Sequence, residues 1–358
     1  MSQHSVILAL VGITLLLNGC VSNRAVGRTV AVAQPDEPNA ILRVQALAPE
    51  VRRKLLLLNP EKVTEREIQD LLSTNPAPRI INIHGGVLPI KSGMNSFAQF
   101  LIGMGYPEVS LRNPGNGSYT YGYYNRSKEI AGCVAWYYEH DGMRPMVVGH
   151  SQGGIQTIRV LYRLTTNSTT KVTVWNPVTR TDEKRYEIVD PLTGWRRPVA
   201  GLRVCYATAA VAGGLARFLP NEWDMNLKLR KIPDSVEDFT GFQKGMDLLG
   251  GDFLGFGSAN DYRAIGDARV RNVRLPASSS HASIPYAEKL LQKPSLKESI
   301  ANYDPSDPNQ ELSGSRADLV RSNARALWAA EVWHAIKKHW VLELQHLILA
   351  QSGKHNDS

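Results

Sequence analysis

The first half of the chain alternates short apolar runs with helical patterns. Apolar, β-branched runs at 79–84, 107–113 and 144–151 predict strands, because turn residues bound each of them. Helical periodicity predicts helices at 41–58, 63–73, 96–105, 127–140 and 155–164. Strands that alternate with helices at this spacing predict right-handed crossovers. We therefore expect an α/β fold, with a mostly parallel central sheet flanked by helices on both faces.

The pattern changes after residue 170 and again after residue 213. Between 171 and 200, short strand-like runs are separated by Asn-Pro and Asp-Pro turns, which predict an antiparallel meander. Residues 214–250 show only loose helical patterns, and we expect them to form a helical, lid-like insertion. Further strands are predicted at 202–210, 252–258 and 271–276. A long apolar pattern at 316–350 predicts a C-terminal helix packed on the core.

Composition and charge narrow the class of protein. The 358 residues are 43% hydrophobic and 21% charged, which excludes wholesale disorder and favours one α/β domain over 41–358. The net charge is +8, but the basic residues are scattered, with the densest runs at 52–54 and 196–197. We expect no nucleic-acid partner, and at most a mild preference for an anionic membrane surface. Metal-binding and nucleotide-binding motifs are absent from the sequence, so no cofactor is expected. The sequence predicts no oligomeric state.

The N-terminus has the pattern of an export signal. An apolar run at 6–17 is too short to span a bilayer and predicts a signal peptide over 1–19. The sequence before Cys20 resembles a bacterial lipoprotein box. The resemblance implies that Cys20 is lipidated and anchors a tether over 20–40 to a membrane, and Val21 favours the outer membrane. A plain secretory signal, giving a secreted or periplasmic protein, is the alternative. Cys133 and Cys205 are expected to be buried free thiols.

The segment Gly149-His150-Ser151-Gln152-Gly153 contains the spacing G-x-S-x-G. A nucleophilic serine needs a sharp turn from strand to helix, and small residues must flank it so that the neighbouring elements can approach. Here a predicted strand precedes the serine and a predicted helix follows it, which predicts that Ser151 is a nucleophile. At this point the sequence resembles the α/β-hydrolase superfamily, and the form GHSQGG is similar to that of bacterial lipases and esterases.

The resemblance implies a catalytic triad in the chain order serine, acid, histidine. His281 lies in a loop of small residues after the last predicted strand of the sheet, and we expect it to be the general base. Asp261 follows the predicted strand 252–258 and precedes His281 by twenty residues, so it is the expected acid. Asp252 is the alternative, although it stands at the start of that strand and the acid should follow the strand.

Two backbone N–H groups should bind the oxyanion. One is expected from Gln152, the residue after the nucleophile. The turn that follows strand 79–84 contains His84-Gly85-Gly86, which resembles the oxyanion motif of the family. The resemblance implies Gly86 as the second donor, with Val87 as the alternative, and His84 as a residue that orders the turn.

The expected function is hydrolysis of carboxylic esters by a serine hydrolase through an acyl-enzyme. Lipid or other hydrophobic acyl esters are favoured as substrates, because an exported, tethered protein with a lid-like insertion suits them. A thioesterase, a peptidase or an acyltransferase fits the same motif. The rival from another class is a non-catalytic envelope lipoprotein that uses the fold as a binding scaffold.

Overall fold

The fold is described from a computed structural model of the chain. The residues that the structure describes are 39–86, 88–166, 171–212, 225, 227–245, 247, 261–276, 280–307, 312 and 316–356. The predicted signal peptide, Cys20, Val87, Asp252 and the predicted strand 252–258 lie outside these residues.

The described part of the chain alternates strands and helices. The strands are β1 (Ile80–His84), β2 (Tyr121–Gly122), β3 (Met146–His150), β4 (Trp175–Asn176), β5 (Thr181–Asp182), β6 (Glu187–Val189), β7 (Arg196–Pro198), β8 (Val204–Ala210), β9 (Lys231–Ile232), β10 (Val236–Lys244), β11 (Arg263–Ala264) and β12 (Arg269–Leu275). The helices are α1 (Ala40–Gln45), α2 (Pro49–Leu56), α3 (Glu65–Glu67), α4 (Leu88–Gly103), α5 (Ser127–Asp141), α6 (Gln152–Leu164), α7 (Pro294–Ala301) and α8 (Arg316–Asn356).

Six of these strands form one sheet in the order β12-β10-β8-β3-β1-β2, and every neighbouring pair is parallel. The structure thus confirms an α/β class with a parallel central sheet. Strand order reverses at one place, since β1 pairs with β2 on one side and with β3 on the other. In sheets of this kind the carboxyl ends of the two strands at the reversal leave a crevice between their loops, where ligands bind.

Side chains of the central strands alternate between two hydrophobic clusters. In β3, Met146 and Val148 belong to one cluster and Val147 belongs to the other. The first cluster contains residues of α4, α7 and α8, and the second contains residues of α5 and α6. The sheet is therefore covered on both faces, as its apolar central strands require.

The C-terminal helix α8 packs on the first face of the sheet, as the sequence predicts. Trp328, Trp333 and Trp340 are fully buried, and the Trp340 indole donates a hydrogen bond of 2.8 Å to the carbonyl of Pro76. Glu343 of the same helix accepts a hydrogen bond of 2.9 Å from Nε of Arg144, which precedes β3. This ion pair, whose carboxylate is buried, links the helix to the start of the central strand.

The N-terminal helices differ from the prediction in two respects, and one is that α3 continues as a π-helical turn over Ile68–Leu72. The predicted helix 41–58 is two helices, α1 and α2, because Pro49 begins a new helix after the non-helical residue Ala48. The capping box of Thr64 and Glu67 is present at the start of α3. Among the described residues, no helix is long and apolar enough to cross a membrane.

One strand prediction and one insertion prediction are wrong. Residues 108–110 form a 3₁₀ turn, and the second strand of the sheet is β2, farther along the chain at Tyr121–Gly122. The predicted insertion 214–250 contains β10, which lies inside the sheet between β8 and β12. The segment Val236–Lys244 is therefore part of the fold and cannot be a lid.

The segment 171–200 folds as two antiparallel hairpins, β4–β5 and β6–β7, that do not pair with each other. Both lie against α5. Gly132 of that helix is the contact with the first hairpin, because a Cβ there would collide with the backbone around Trp175. Cys133 and Cys205 are buried free thiols, as expected, and burial raises the pKa of both.

Candidate active site

Ser151 occupies a strained turn between β3 and α6. Its backbone has φ +57° and ψ −127°, which is rare for a residue with a side chain. The backbone N–H donates a hydrogen bond of 2.9 Å to the carbonyl of Ala210, at the end of the neighbouring strand β8. The neighbouring strand therefore holds this conformation in place, as a serine that projects from the sheet edge requires.

The glycines around Ser151 are needed for close packing. A Cβ on Gly149 would collide with Thr157 of α6, and one on Gly153 would collide with the carbonyl of Ile83 in β1. At Gly154 a Cβ would lie 2.9 Å from that of Ala212. The three glycines let the start of α6 approach both neighbouring strands, which is the physical reason for the motif.

His281 and Asp247 complete a hydrogen-bonded row that starts at Ser151. Nε2 of His281 lies 2.9 Å from Oγ of Ser151, and Nδ1 lies 2.8 Å from Oδ2 of Asp247. All three side chains are buried. An imidazole with its hydrogen on Nδ1 satisfies both contacts, because it donates to the carboxylate and accepts from the hydroxyl. This is the geometry of a serine activated by a base that an acid orients.

The prediction that Asp261 holds the histidine is wrong. Asp261 is exposed, and it begins the segment that leads into the short strand β11. The carboxylate that contacts His281 belongs to Asp247, three residues beyond the end of β10. The alternative Asp252 lies outside the described residues.

The sequence did not predict Asp247 as the acid because it did not predict strand β10. That strand contains Glu237, Asp238, Gln243 and Lys244, so it lacks the apolar run of a buried parallel strand. Its acidic side chains have partners that sequence order does not reveal. Glu237 accepts from Arg144 at 2.7 Å, and Asp238 lies 2.9 Å from Nε2 of His339. One sequence signal could have revealed this strand and its acid. It is the pair of aromatic residues at 239 and 242, followed by Gly245 and Asp247.

His150 is buried beside His281. The two imidazole rings lie 5.2 Å apart between centroids, at an angle of 55°. Burial, together with the nearby His281, lowers the pKa of His150 well below its usual value. His150 is therefore a neutral ring, and it packs against His281 without adding a competing positive charge.

The two expected oxyanion donors belong to turns next to Ser151. The N–H of Gln152 is at the first turn of α6, where the backbone N–H groups have no partner within the helix. Gly85 and Gly86 follow β1, and a Cβ on Gly85 would lie 3.3 Å from Oγ of Ser151. The N–H of Gly86 donates a hydrogen bond of 3.0 Å to Oε1 of the Gln152 side chain. Gln152 thus occupies this donor, and the amide must move before Gly86 can bind an oxyanion. The alternative donor Val87 lies outside the described residues.

His84 and the loop after β2 border this turn. Nδ1 of His84 lies 2.7 Å from the carbonyl oxygen of Gly85, in agreement with an ordering role. Burial lowers the pKa of His84. The exposed Tyr124 places its hydroxyl 3.4 Å from the position that a Cβ on Gly86 would take. The wall beside the turn is therefore aromatic and open to solvent.

Within the described ranges, no cluster of three His, Cys, Asp or Glu side chains could hold a metal ion. No protein-family model, curated protein or solved structure gives a significant match to this chain.

Proposed function

We propose that this protein is a serine hydrolase of the α/β-hydrolase type that cleaves carboxylic esters. The observation that carries the proposal is the hydrogen-bonded row of Ser151, His281 and Asp247. The three residues follow one another along the chain as serine, acid, histidine, which is the order of this fold and differs from the orders of other serine hydrolases.

The position of the row in the sheet supports the same proposal. Ser151 follows β3, Asp247 follows β10 and His281 follows β12, so all three lie beyond the carboxyl ends of parallel strands. Ser151 also borders the crevice where strand order reverses between β1 and β3, the expected place for a ligand. A binding scaffold without activity would not need a strained serine within hydrogen-bond reach of a buried histidine.

In the proposed acylation step, Oγ of Ser151 attacks the carbonyl carbon of the ester while Nε2 of His281 takes the hydroxyl proton. The carboxylate of Asp247 holds the imidazole orientation and stabilises the cation that forms. The tetrahedral oxyanion accepts hydrogen bonds from the N–H groups of Gln152 and Gly86. Each such donor contributes on the order of 3 kcal/mol to lowering the barrier. His281 then protonates the leaving alcohol as the carbon–oxygen bond breaks.

Deacylation repeats the sequence with water. His281 removes a proton from a water molecule that attacks the acyl-serine, and it returns that proton to Oγ of Ser151 as the acid is released. Because His150 is neutral, the positive charge of the intermediate lies on the ring of His281, where the carboxylate of Asp247 stabilises it.

Hydrolysis of a panel of p-nitrophenyl esters with increasing acyl length tests the proposal. Wild-type protein should release p-nitrophenol with saturation kinetics, and Ser151→Ala should reduce the rate to background. Equal rates for the two proteins would overturn it. The dependence on chain length tests the proposed preference for hydrophobic acyl groups, and a matched thioester tests the thioesterase alternative.

Lipidation at Cys20 and an outer-membrane location remain proposals from the sequence. Palmitate labelling that is lost in Cys20→Ala would support lipidation.

A further inference from the structure

The edge of the sheet at which the strands begin lies opposite the catalytic serine. Helix α5 ends at Asp141, and Gly142 follows in a left-handed conformation before β3 begins at Met146. Ser151 comes directly after the other end of β3. Five residues of strand separate the two edges by about 17 Å. Side chains around Gly142 therefore belong to a surface distinct from the active site.

The hairpin β6–β7 is attached to this edge. The hydroxyl of Tyr138 donates to Asp190 at 3.1 Å, and Glu139 accepts from the N–H of Val189 at 2.7 Å. Both contacts fall within the last turn of α5. The hairpin turn presents Trp195, whose exposed fraction is 78%. The next residue, Arg196, is also exposed.

Helices α1, α2 and the end of α8 reach the same edge from the other side. A Cβ on Gly142 would lie 3.0 Å from Leu347 of α8 and 3.1 Å from Ile41 of α1. Nε2 of Gln345 donates to the carbonyl of Leu55 at 3.0 Å, which joins α8 to the end of α2. Exposed leucines lie beside each of these contacts. The exposed fraction is 53% for Leu42, 78% for Leu57 and 57% for Leu349.

The two densest basic runs of the sequence fall on this edge, next to those apolar side chains. Arg53 and Lys54 are exposed three residues before Leu56 and Leu57, respectively, and Arg196 is exposed next to Trp195. Acidic groups offset part of this positive charge, and Glu139 of α5 pairs with Arg185. Glu50 pairs with Arg53 at 3.2 Å, Asp190 pairs with Arg197 at 3.1 Å, and Glu187 is exposed. We define the basal surface as Leu42, Lys54, Leu57, Trp195, Arg196 and Leu349.

We propose that the basal surface docks on an anionic lipid bilayer. Tryptophan is enriched where protein meets the membrane–water interface, and leucine side chains bury their area among acyl chains. Lysine and arginine at that depth are attracted to anionic headgroups, by about fivefold in affinity for each charge. On the basal surface, apolar side chains lie among basic ones, as binding to an anionic bilayer requires. The described chain also begins beside this surface, at Asn39, where the predicted tether would end.

Docking in this orientation directs Ser151 away from the bilayer. An ester would then reach the serine from the aqueous side, so a substrate embedded in the same bilayer is disfavoured. The docking itself depends neither on catalysis nor on lipidation of Cys20.

Vesicle co-sedimentation tests the proposal with the full chain carrying Cys20→Ser, so that no acyl group is attached. Vesicles of equal parts phosphatidylglycerol and phosphatidylcholine should bind the protein at least tenfold more tightly than phosphatidylcholine alone. The double variant Lys54→Gln/Arg196→Gln should weaken binding to the anionic vesicles about 25-fold. The variant Leu57→Ser/Trp195→Ser should weaken it by a similar factor.

The matched control is Val178→Ser/Arg180→Gln. These residues are an exposed apolar and an exposed basic side chain on the other hairpin, which packs near Gly132 in the half of α5 closer to the catalytic edge. The control should bind vesicles like the parent, and circular dichroism should show all variants folded. Quenching of tryptophan fluorescence by brominated phosphatidylglycerol should fall in Trp195→Phe. Equal binding to neutral vesicles, equal loss in the control, or no binding to any vesicle would overturn the proposal, and the last result would favour a protein partner.

Discussion

Nδ1 of His281 lies 2.8 Å from Oδ2 of Asp247, a residue on a different strand end and 34 positions earlier in the chain. Both side chains are buried, so this contact fixes the histidine ring while its other nitrogen faces Ser151 at 2.9 Å. Two hypotheses name different acids, Asp247 from this contact and Asp261 from the sequence. A pair of variants distinguishes them.

Asp247→Asn should lower kcat for a p-nitrophenyl ester by on the order of 10⁴-fold, because the amide favours the wrong imidazole tautomer. Asp261→Asn is the matched control, since Asp261 is exposed and it should retain nearly wild-type turnover. Loss of activity in the control with normal activity in Asp247→Asn would restore the acid that the sequence favoured.

Gln152 gives a second prediction, because its side chain occupies the N–H of Gly86. Gln152→Ala frees this donor and keeps the backbone N–H at position 152, so kcat should be maintained or should rise. Gln152→Glu places a carboxylate oxygen on the same donor and near the oxyanion, so kcat should fall by tenfold or more. Similar losses in both variants would instead mean that the glutamine supports the turn.

Gly153→Ala tests the packing around the serine. The new methyl group would collide with the carbonyl of Ile83, which is backbone and cannot yield, so the free energy of unfolding should fall by about 3 kcal/mol. The control is Gly353→Ala near the end of α8, where nothing lies within 4 Å of the added atom. That variant should be stabilised by up to about 1 kcal/mol. Urea denaturation measures both, and an unchanged Gly153→Ala would contradict the packing argument.

Lys337 predicts a pH dependence of stability. Its ammonium is buried and donates to the carbonyls of Val63 and Ala301, and burial lowers its pKa to about 8. Between that value and the ordinary pKa near 10.5, the unfolded chain binds a proton that the folded chain lacks. The contribution of Lys337 to the free energy of unfolding should therefore rise with pH over that window, by up to about 3 kcal/mol. The check is the difference in free energy of unfolding between wild type and Lys337→Met, measured from pH 7 to 10. A difference that does not change with pH would contradict the lowered pKa.

The sequence predicted the parts of the fold whose signals are local. Apolar runs located β1, β3 and β8, and the strand pattern at 271–276 located β12. The G-x-S-x-G spacing located Ser151, because its glycines leave room for atoms of the adjacent elements. His281 was found from its place after the last strand. These signals need only a few neighbouring residues.

The parts that the sequence missed depend on distant partners. The charges of β10 are tolerated inside a sheet because Arg144 and His339 face them, and neither partner is near in sequence. Missing that strand displaced the predicted acid to Asp261. Similarly, β2 is only two residues long, and its pairing with Ile83 and His84 defines it more than its own sequence does.

The most direct test of a nucleophilic Ser151 is labelling with a fluorophosphonate probe, followed by mass spectrometry of the adduct. The wild-type protein should carry the phosphonyl group on Ser151 alone, and both Ser151→Ala and His281→Ala should remain unlabelled. Labelling that persists in Ser151→Ala, or a folded wild-type protein that the probe leaves unmodified, would contradict the assignment.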